Sequence, residues 1–458
     1  MKATTVRTRT VGVIVVLMAF VAASVGLAPR FQTSGDAPRI LRMTERDALQ
    51  NRWLKERFDT ILPALMRREQ IDMWIVVCRE HNEDPVYRTL VPQPSMFAWR
   101  LTMFVYTDRG AAGIEKLTIN RYGGGDLHKD FPQFYRAAWE PESLDPWARL
   151  ARVVRERNPR RIAIDESKTF SFADGLTSTL KARLVEALGP ELSSRLVSAE
   201  KLAVGWLEQR SAGELAFYEQ IVALTHQVAA EAFSSAHITP GVTTIDDLED
   251  FARERFAEMR VEPWFPPMFY ITRPPSARPL TRVVQKGDML RCDIGFTYAG
   301  LTSDIQELAY VLRDGETDAP KGLRDGLAAG NRLQDILVAH YKAGQTGNQV
   351  LRAALAAARA AGLVPKIYSH PLGFDGHAAG SRIGLPDMQD GVPGMGDHPL
   401  ANDMVWAVEL SVTAPVPEWG GVEVQFPLEQ DAAFTASGAR FLDGRQTRLH
   451  LVRASSTR

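Results

Sequence analysis

The sequence is poor in cysteine and carries no excess of charge of either sign. Only two cysteines, Cys78 and Cys292, stand among 458 residues. One pair so far apart is no disulfide framework, even if export permits a bridge. Both are read as small buried residues, and Cys292 is expected on the strand face opposite its neighbour Asp293. Lysine and arginine total 54 against 55 aspartates and glutamates, for a net charge of -1. Basic stripes interleaved with aromatics are absent, so nothing points to a nucleic-acid partner. A phosphate-cradling glycine loop is also missing. Gly123, Gly124 and Gly125 lack a strand before and a helix after them and read as a turn. No internal repeat and no low-complexity tract is found. What remains is average globular usage, 45% apolar and 24% charged, in a chain long enough for two or three domains.

The first residues read as an address. Lys2, Arg7 and Arg9 precede an apolar run from Val11 to Leu27, and Gly26-Leu27-Ala28 resembles a small-residue cleavage site. This is the pattern of a secretory signal peptide over residues 1–28. The competing reading is an uncleaved anchor, but the run is short of the ~20 residues a span needs. No cysteine follows to carry a lipid.

Beyond a polar lead at 29–42, Leu54, Phe58, Ile61, Leu62 and Leu65 recur at helical spacing between Thr44 and Arg68. Strands are expected at Met73–Val77, Phe104–Tyr106 and Arg161–Ile164, with helices at 144–157 and 174–188. This alternation predicts an α/β domain over about 44–200. A boundary falls near 200–212. Ser211 and Glu214 then make a capping box for a helix to about Ala236. Pro240-Gly241 turns the chain, and Thr244 caps a helix over 245–259. A strand-rich region follows, interrupted by helices near 320–342 and 347–361. The second half is therefore α+β.

The chemistry gathers there. Asp288–Tyr298 and Leu301–Val311 read as two strands joined by the tight turn Ala299-Gly300. With a two-residue loop, Tyr298 faces Leu301, Asp293 faces Gln306, and Asp304 faces Gly295. Asp293 and Asp304 are then diagonal neighbours on one face, ~7–8 Å apart between Cα atoms. A register shifted by one residue would separate them. Two carboxylates on a solvated face is the plain alternative. Against it, aspartate is disfavoured in strands and its apolar neighbours make an unpaired charge costly. Next, His370 and His377 lie in a glycine-rich stretch ending at Gly380. Imidazole is a common transition-metal ligand. Finally, Glu409 sits in the apolar strand Met404–Val412, and Glu429 in a second, Phe426–Phe434. A buried glutamate calls for a base or a cation, and neither strand supplies Lys or Arg.

Taken in order, Asp293, Asp304, His370, His377, Glu409 and Glu429 resemble the motif of the pita-bread metallopeptidases, which include aminopeptidase P, prolidase and methionine aminopeptidase. The resemblance spans about 205–440. The region before it is similar to the N-terminal domain of the aminopeptidase P, prolidase and creatinase branch. It implies a C-terminal pita-bread catalytic domain at 205–450 preceded by a smaller creatinase-type α/β domain. It also implies a dinuclear centre. Asp293 holds one ion, His370 and Glu409 hold the other, and Asp304 and Glu429 bridge both. Four carboxylates and a neutral histidine suit two divalent ions, Mn²⁺ first, with Co²⁺ or Zn²⁺ open. A bridging hydroxide would attack the scissile amide. His377 matches the second histidine, which donates to the substrate or oxyanion, although a supporting structural role is open.

The resemblance has gaps. No histidine lies between Tyr270 and Asp288, where aminopeptidase P and its relatives carry one. Leu410 replaces the proline that commonly follows the first glutamate. Pro427 replaces an arginine, and Gln306 a threonine. Trp264–Tyr270 reads either as a pocket wall for an apolar or prolyl side chain or as ordinary core. The expected function is an exported dinuclear-metal peptidase acting on short peptides, an Xaa-Pro aminopeptidase or dipeptidase. No stable membrane span remains after signal cleavage, and a homodimer is possible. The alternatives are a metal-dependent amide or ester hydrolase on the same fold, and a non-catalytic peptide-binding module. Creatinase itself lacks the metal carboxylates.

Overall fold

The computed structural model describes residues 39–120, 132–139, 145–277 and 281–453. The signal-like segment, most of the polar lead and Gly123–Gly125 lie outside them.

The first sheet has six strands: β1 (Met73–Arg79), β2 (Leu101–Asp108), β3 (Ile114–Ile119), β4 (Arg136–Ala137), β5 (Ile162–Ile164) and β6 (Leu196–Ser198). Their order is β4-β3-β2-β1-β5-β6. It is a mixed sheet, antiparallel across β1–β2–β3 and parallel across β1–β5–β6. Side chains alternate along β1 as the pleat demands. Met73, Ile75 and Val77 face the helices Pro146–Arg157 and Ser178–Ser193. Trp74, Val76 and Cys78 face the helices Met43–Arg68 and Glu200–Glu208. Strand β3 has no counterpart in the sequence reading. The helix expected from residue 174 begins at Ser178, because Thr177 caps it and Asp174 is occupied by the Ser167 amide.

The second half holds four small sheets. Their strands are β7 (Glu262–Pro263), β8 (Met268–Thr272), β9 (Met289–Ile294), β10 (Phe296–Tyr298), β11 (Leu301–Thr302), β12 (Ile305–Val311), β13 (Val364–Ile367), β14 (His370–Leu372), β15 (Met404–Ala407), β16 (Leu410–Val416), β17 (Val422–Leu428), β18 (Asp431–Thr435), β19 (Gly438–Phe441) and β20 (His450–Val452). Helices Ala212–Ala232 and Ile245–Glu258 cover one side, with the capping boxes of Ser211 and Thr244 both formed. Helices Lys321–Ala339 and Gly347–Ala360 cover the other.

Two features tie the halves together. Arg57, from the first helix, is fully buried and donates to Glu214 at 2.9 Å and to the Gln209 carbonyl at 2.7 Å. Its guanidinium also lies 4.9 Å from the Phe374 ring, in the histidine-bearing loop. Both cysteines are free and buried, as expected.

The first half also buries two neighbouring carboxyls, Asp84, which accepts from the Val86 amide, and Asp165, which accepts from Trp74. Burial lifts Asp84 to about 6 and Asp165 well above the carboxylate range. A carboxyl raised in the folded state favours folding below its unfolded pKa and loses that contribution as pH climbs through its folded value. The melting temperature is expected to fall as pH rises from 4 to 7. Asp84→Asn should flatten that slope, as followed by thermal unfolding at matched ionic strength.

Candidate metal centre

The hairpin has the expected register. Ala299 and Gly300 both adopt positive φ, 51° and 77°, as a two-residue turn of this hand requires. Tyr298 pairs with Leu301, and Asp293 with Gln306. Both strands break midway while keeping register. β9 gives way to β10 at Gly295, opposite the break between β11 and β12 at Ser303-Asp304. A Cβ on Gly295 would lie 2.3 Å from the Ser303 carbonyl oxygen, so glycine permits this close crossing.

The glutamates follow the same rule, which corrects the expectation that each sits inside a strand. Val408-Glu409 is the gap where the chain leaves β15 and its sheet for β16 in another. Glu429-Gln430 is the matching gap between β17 and β18. The gaps lie side by side, joined by the Val408 amide donating to the Gln430 carbonyl at 2.9 Å. His370 opens β14 opposite Ala407. Irregular backbone frees these side chains from the pleat's alternation, and they converge.

Ligand atoms of Asp304, His370 and Glu429 all lie within 4.8 Å of one another. From His370 Nε2 the nearest carboxylate oxygens are those of Glu429 at 3.4 Å, Asp304 at 3.6 Å and Glu409 at 4.0 Å. His370 Nδ1 lies 3.2 Å from the Pro371 carbonyl. As donor to that oxygen, Nδ1 leaves the Nε2 lone pair aimed at the carboxylates. Burial, then Arg382, depresses its pKa to about 3, so the ring is neutral. Asp293 stands outside this close trio, half-buried on β9, but its charge raises the pKa of Asp304, Glu409 and Glu429. Burial lifts Asp293 to about 6 and, with the Asp293 charge, Glu429 to about 8.

The atoms that turn inward are the ones without partners. Asp304 Oδ1, His370 Nε2 and Glu429 Oε1 are buried and accept no hydrogen bond. Leaving such groups unpaired is expensive, whereas oxygens and one imidazole nitrogen around a gap are the donor set of a borderline or hard divalent cation. The residues therefore fit a metal.

His377 has one side open to solvent. Its ring meets His370 edge-on at 4.6 Å and Trp264 at 5.1 Å. Trp264 donates to the Ser303 carbonyl at 2.9 Å and fills the space beside Gly376. The segment 264–270 thus divides. Trp264 walls the site, Phe269 enters the core, and Tyr270 is 38% exposed over Arg291. Sequence reasoning missed Asp431, which is fully buried and accepts from the Asp304 amide at 3.2 Å. The signal was present, since Asp431 breaks an apolar strand much as Glu429 does. It also missed Arg382, whose charge helps lower the pKa of both histidines after burial.

The family description "Metallopeptidase family M24" matches residues 218–426. That segment, somewhat under half of the chain, is therefore similar to metallopeptidase family M24. Known structures share the fold across most of the chain. An X-Pro aminopeptidase from Thermotoga maritima MSB8 aligns with TM-score 0.60 and 16% identity, over 85% of this chain and all of that one. An Xaa-Pro dipeptidase from Bacillus anthracis aligns with TM-score 0.52 and 16% identity, over 88% and 99%. A histidine-to-alanine variant of Escherichia coli aminopeptidase P aligns with TM-score 0.55 and 13% identity, over 86% and 94%. At such identities the likeness establishes the pita-bread fold. No curated protein sequence matches the chain significantly.

Cation binding should stabilise the M24 domain by RT ln(1 + [L]/Kd), ~2.7 kcal/mol at a hundredfold excess over Kd. Added Mn²⁺ is expected to raise the melting temperature of chelator-treated protein, and Asp304→Ala should abolish the rise. Because raised carboxyls must lose protons to bind, the rise should be larger at pH 8 than at pH 6.

Proposed function

We propose that the protein is an exported Xaa-Pro peptidase acting on short peptides with two divalent ions, Mn²⁺ first. The observation carrying this reading is the set of unpartnered inward atoms on Asp304, His370 and Glu429 within an M24 domain. In this assignment Asp293, Asp304, His370, Glu409 and Glu429 would hold the ions. Bound ions would acidify a water and polarise the scissile carbonyl. The protein's own groups do the rest. His370 stays neutral, Asp431 holds the Asp304 backbone, and Trp264 braces the loop of His377. His377, lowered to about 4 by burial and by His370 and Arg382, is a neutral imidazole at pH 7. It donates a hydrogen bond to the substrate or to the developing oxyanion. The small domain over 44–200 narrows access to the catalytic domain over 205–450, which favours short substrates.

One observation supports a second reading, an amide or ester hydrolase with a different substrate. The rim strand β8 presents Tyr270 over Arg291, ring to guanidinium 4.0 Å, and carries no histidine.

Metal-stripped protein beginning at residue 29, resupplied with Mn²⁺, Co²⁺ or Zn²⁺, is expected to release the first residue of Xaa-Pro peptides. Asp304→Ala should lose this activity. His377→Ala should retain metal but lose on the order of 10²-fold or more in kcat, the scale of an oxyanion donor. Metal binding without cleavage of any peptide in an Xaa-Pro panel would shift the assignment to the second reading. For export, N-terminal sequencing of the mature chain should begin after Ala28. A full-length chain in the membrane fraction would contradict cleavage, although among the described residues no helix is long and apolar enough to cross a membrane.

A further inference from the structure

Gln306 occupies an unusual place. It stands across the hairpin from Asp293, is almost wholly buried, and sits between two glutamates. Its Nε2 donates to Glu409 Oε1 at 2.7 Å and to Glu429 Oε2 at 2.8 Å, so both amide hydrogens are used. Its Oε1 accepts from Arg291 Nη1 at 3.0 Å. The backbone reinforces this, because the Gln306 amide donates to the Glu429 carbonyl at 3.0 Å. The network admits one orientation of the amide. Turned over, its oxygen would face two carboxylates and its NH₂ a guanidinium, which is repulsive at both ends.

The choice of oxygens matters. The amide holds Oε1 of Glu409 and Oε2 of Glu429. The oxygens left over, Oε2 of Glu409 and Oε1 of Glu429, are the ones 4.0 Å and 3.4 Å from His370 Nε2. One side chain therefore sets the rotation of two carboxylates at once, and Arg291 sets the side chain. Both carboxylates have little other support: Glu429 Oε1 has no partner at all.

We propose that Gln306 is a positioning residue that, locked by Arg291, presents one oxygen of Glu409 and one of Glu429 to the cation beside His370. The inference rests on the metallopeptidase reading and goes beyond it by assigning a task to two residues that would not touch metal or substrate. Hydrogen bonds of this kind behind a metal ligand are worth 10–100-fold in affinity.

Calorimetric titration of metal-free protein with Mn²⁺, paired with visible spectra of the Co²⁺ form, tests it. Gln306→Met keeps the length and loses the donors. It is expected to weaken the first ion by 10–100-fold and to change the Co²⁺ bands, with the metal-free melting temperature held within a few degrees. Arg291→Met is the sharper variant. Removing a positive charge near a cation should by itself tighten binding, whereas release of the amide should loosen it. Weaker binding in Arg291→Met supports the clamp, and tighter binding reduces Arg291 to a counter-charge and overturns its part. Should Gln306→Met unfold, Gln306→Asn, too short to reach both glutamates, is read in the same way. Unchanged affinity and spectra in folded Gln306 variants would overturn the proposal while leaving the metallopeptidase standing. Failure of the unmodified protein to bind any of the three metals would instead remove the reading beneath it.

Discussion

The second half of this protein is organised around the cost of burying negative charge. Asp304, Glu429 and Asp431 are all but inaccessible, with Glu409 and Asp293 only partly open beside them. At separations of a few ångströms in a medium of low effective dielectric, such groups cannot all ionise unaided. They must keep protons, as the raised pKa values of all five express, or share a cation. The neighbouring histidine bears on the choice. Its neutral ring does not act as counter-charge, and with Nδ1 as donor to the Pro371 carbonyl its Nε2 lone pair is the donor a cation would need there.

Holding several ligands around one point is difficult for regular sheet, because alternate side chains face opposite ways. The fold meets this by interrupting the strands. Gly295 and Ser303-Asp304 break one antiparallel pair, and Val408-Glu409 and Glu429-Gln430 break another. Each strand leaves one sheet and enters the next at the level of the site, and the ligands project from those gaps. Apolar residues pack densely on both sides, so the gaps are fixed in place by two cores and not by the ligands themselves. Support also comes from a distance, from the first helix and from the junction between the halves. Arg57 and Arg210 both pack on the Phe374 ring, bracing the loop that carries His370 and His377.

Much of this was legible in the sequence because local rules applied. The Ala299-Gly300 turn dictated the hairpin register and with it the pairing of Asp293 with Gln306. Acids inside apolar runs flagged Asp304, Glu409 and Glu429 without any knowledge of their neighbours. Capping residues placed the helices beginning at Ala212 and Ile245. Asp431 was as conspicuous, but it lies two residues from Glu429, and periodicity alone cannot say which of two nearby acids enters a cavity.

The sequence by itself determined the residue types of the centre, the register of its first two aspartates and the family likeness, since each depends on spacing along the chain. Only the tertiary structure decided that the glutamates stand in gaps between sheets, that Gln306 spans both of them, and that Trp264 walls the site. The last two are contacts between segments more than a hundred residues apart, as with Gln306 and Glu429. Their geometry follows from how two cores pack around broken strands, which no local pattern encodes.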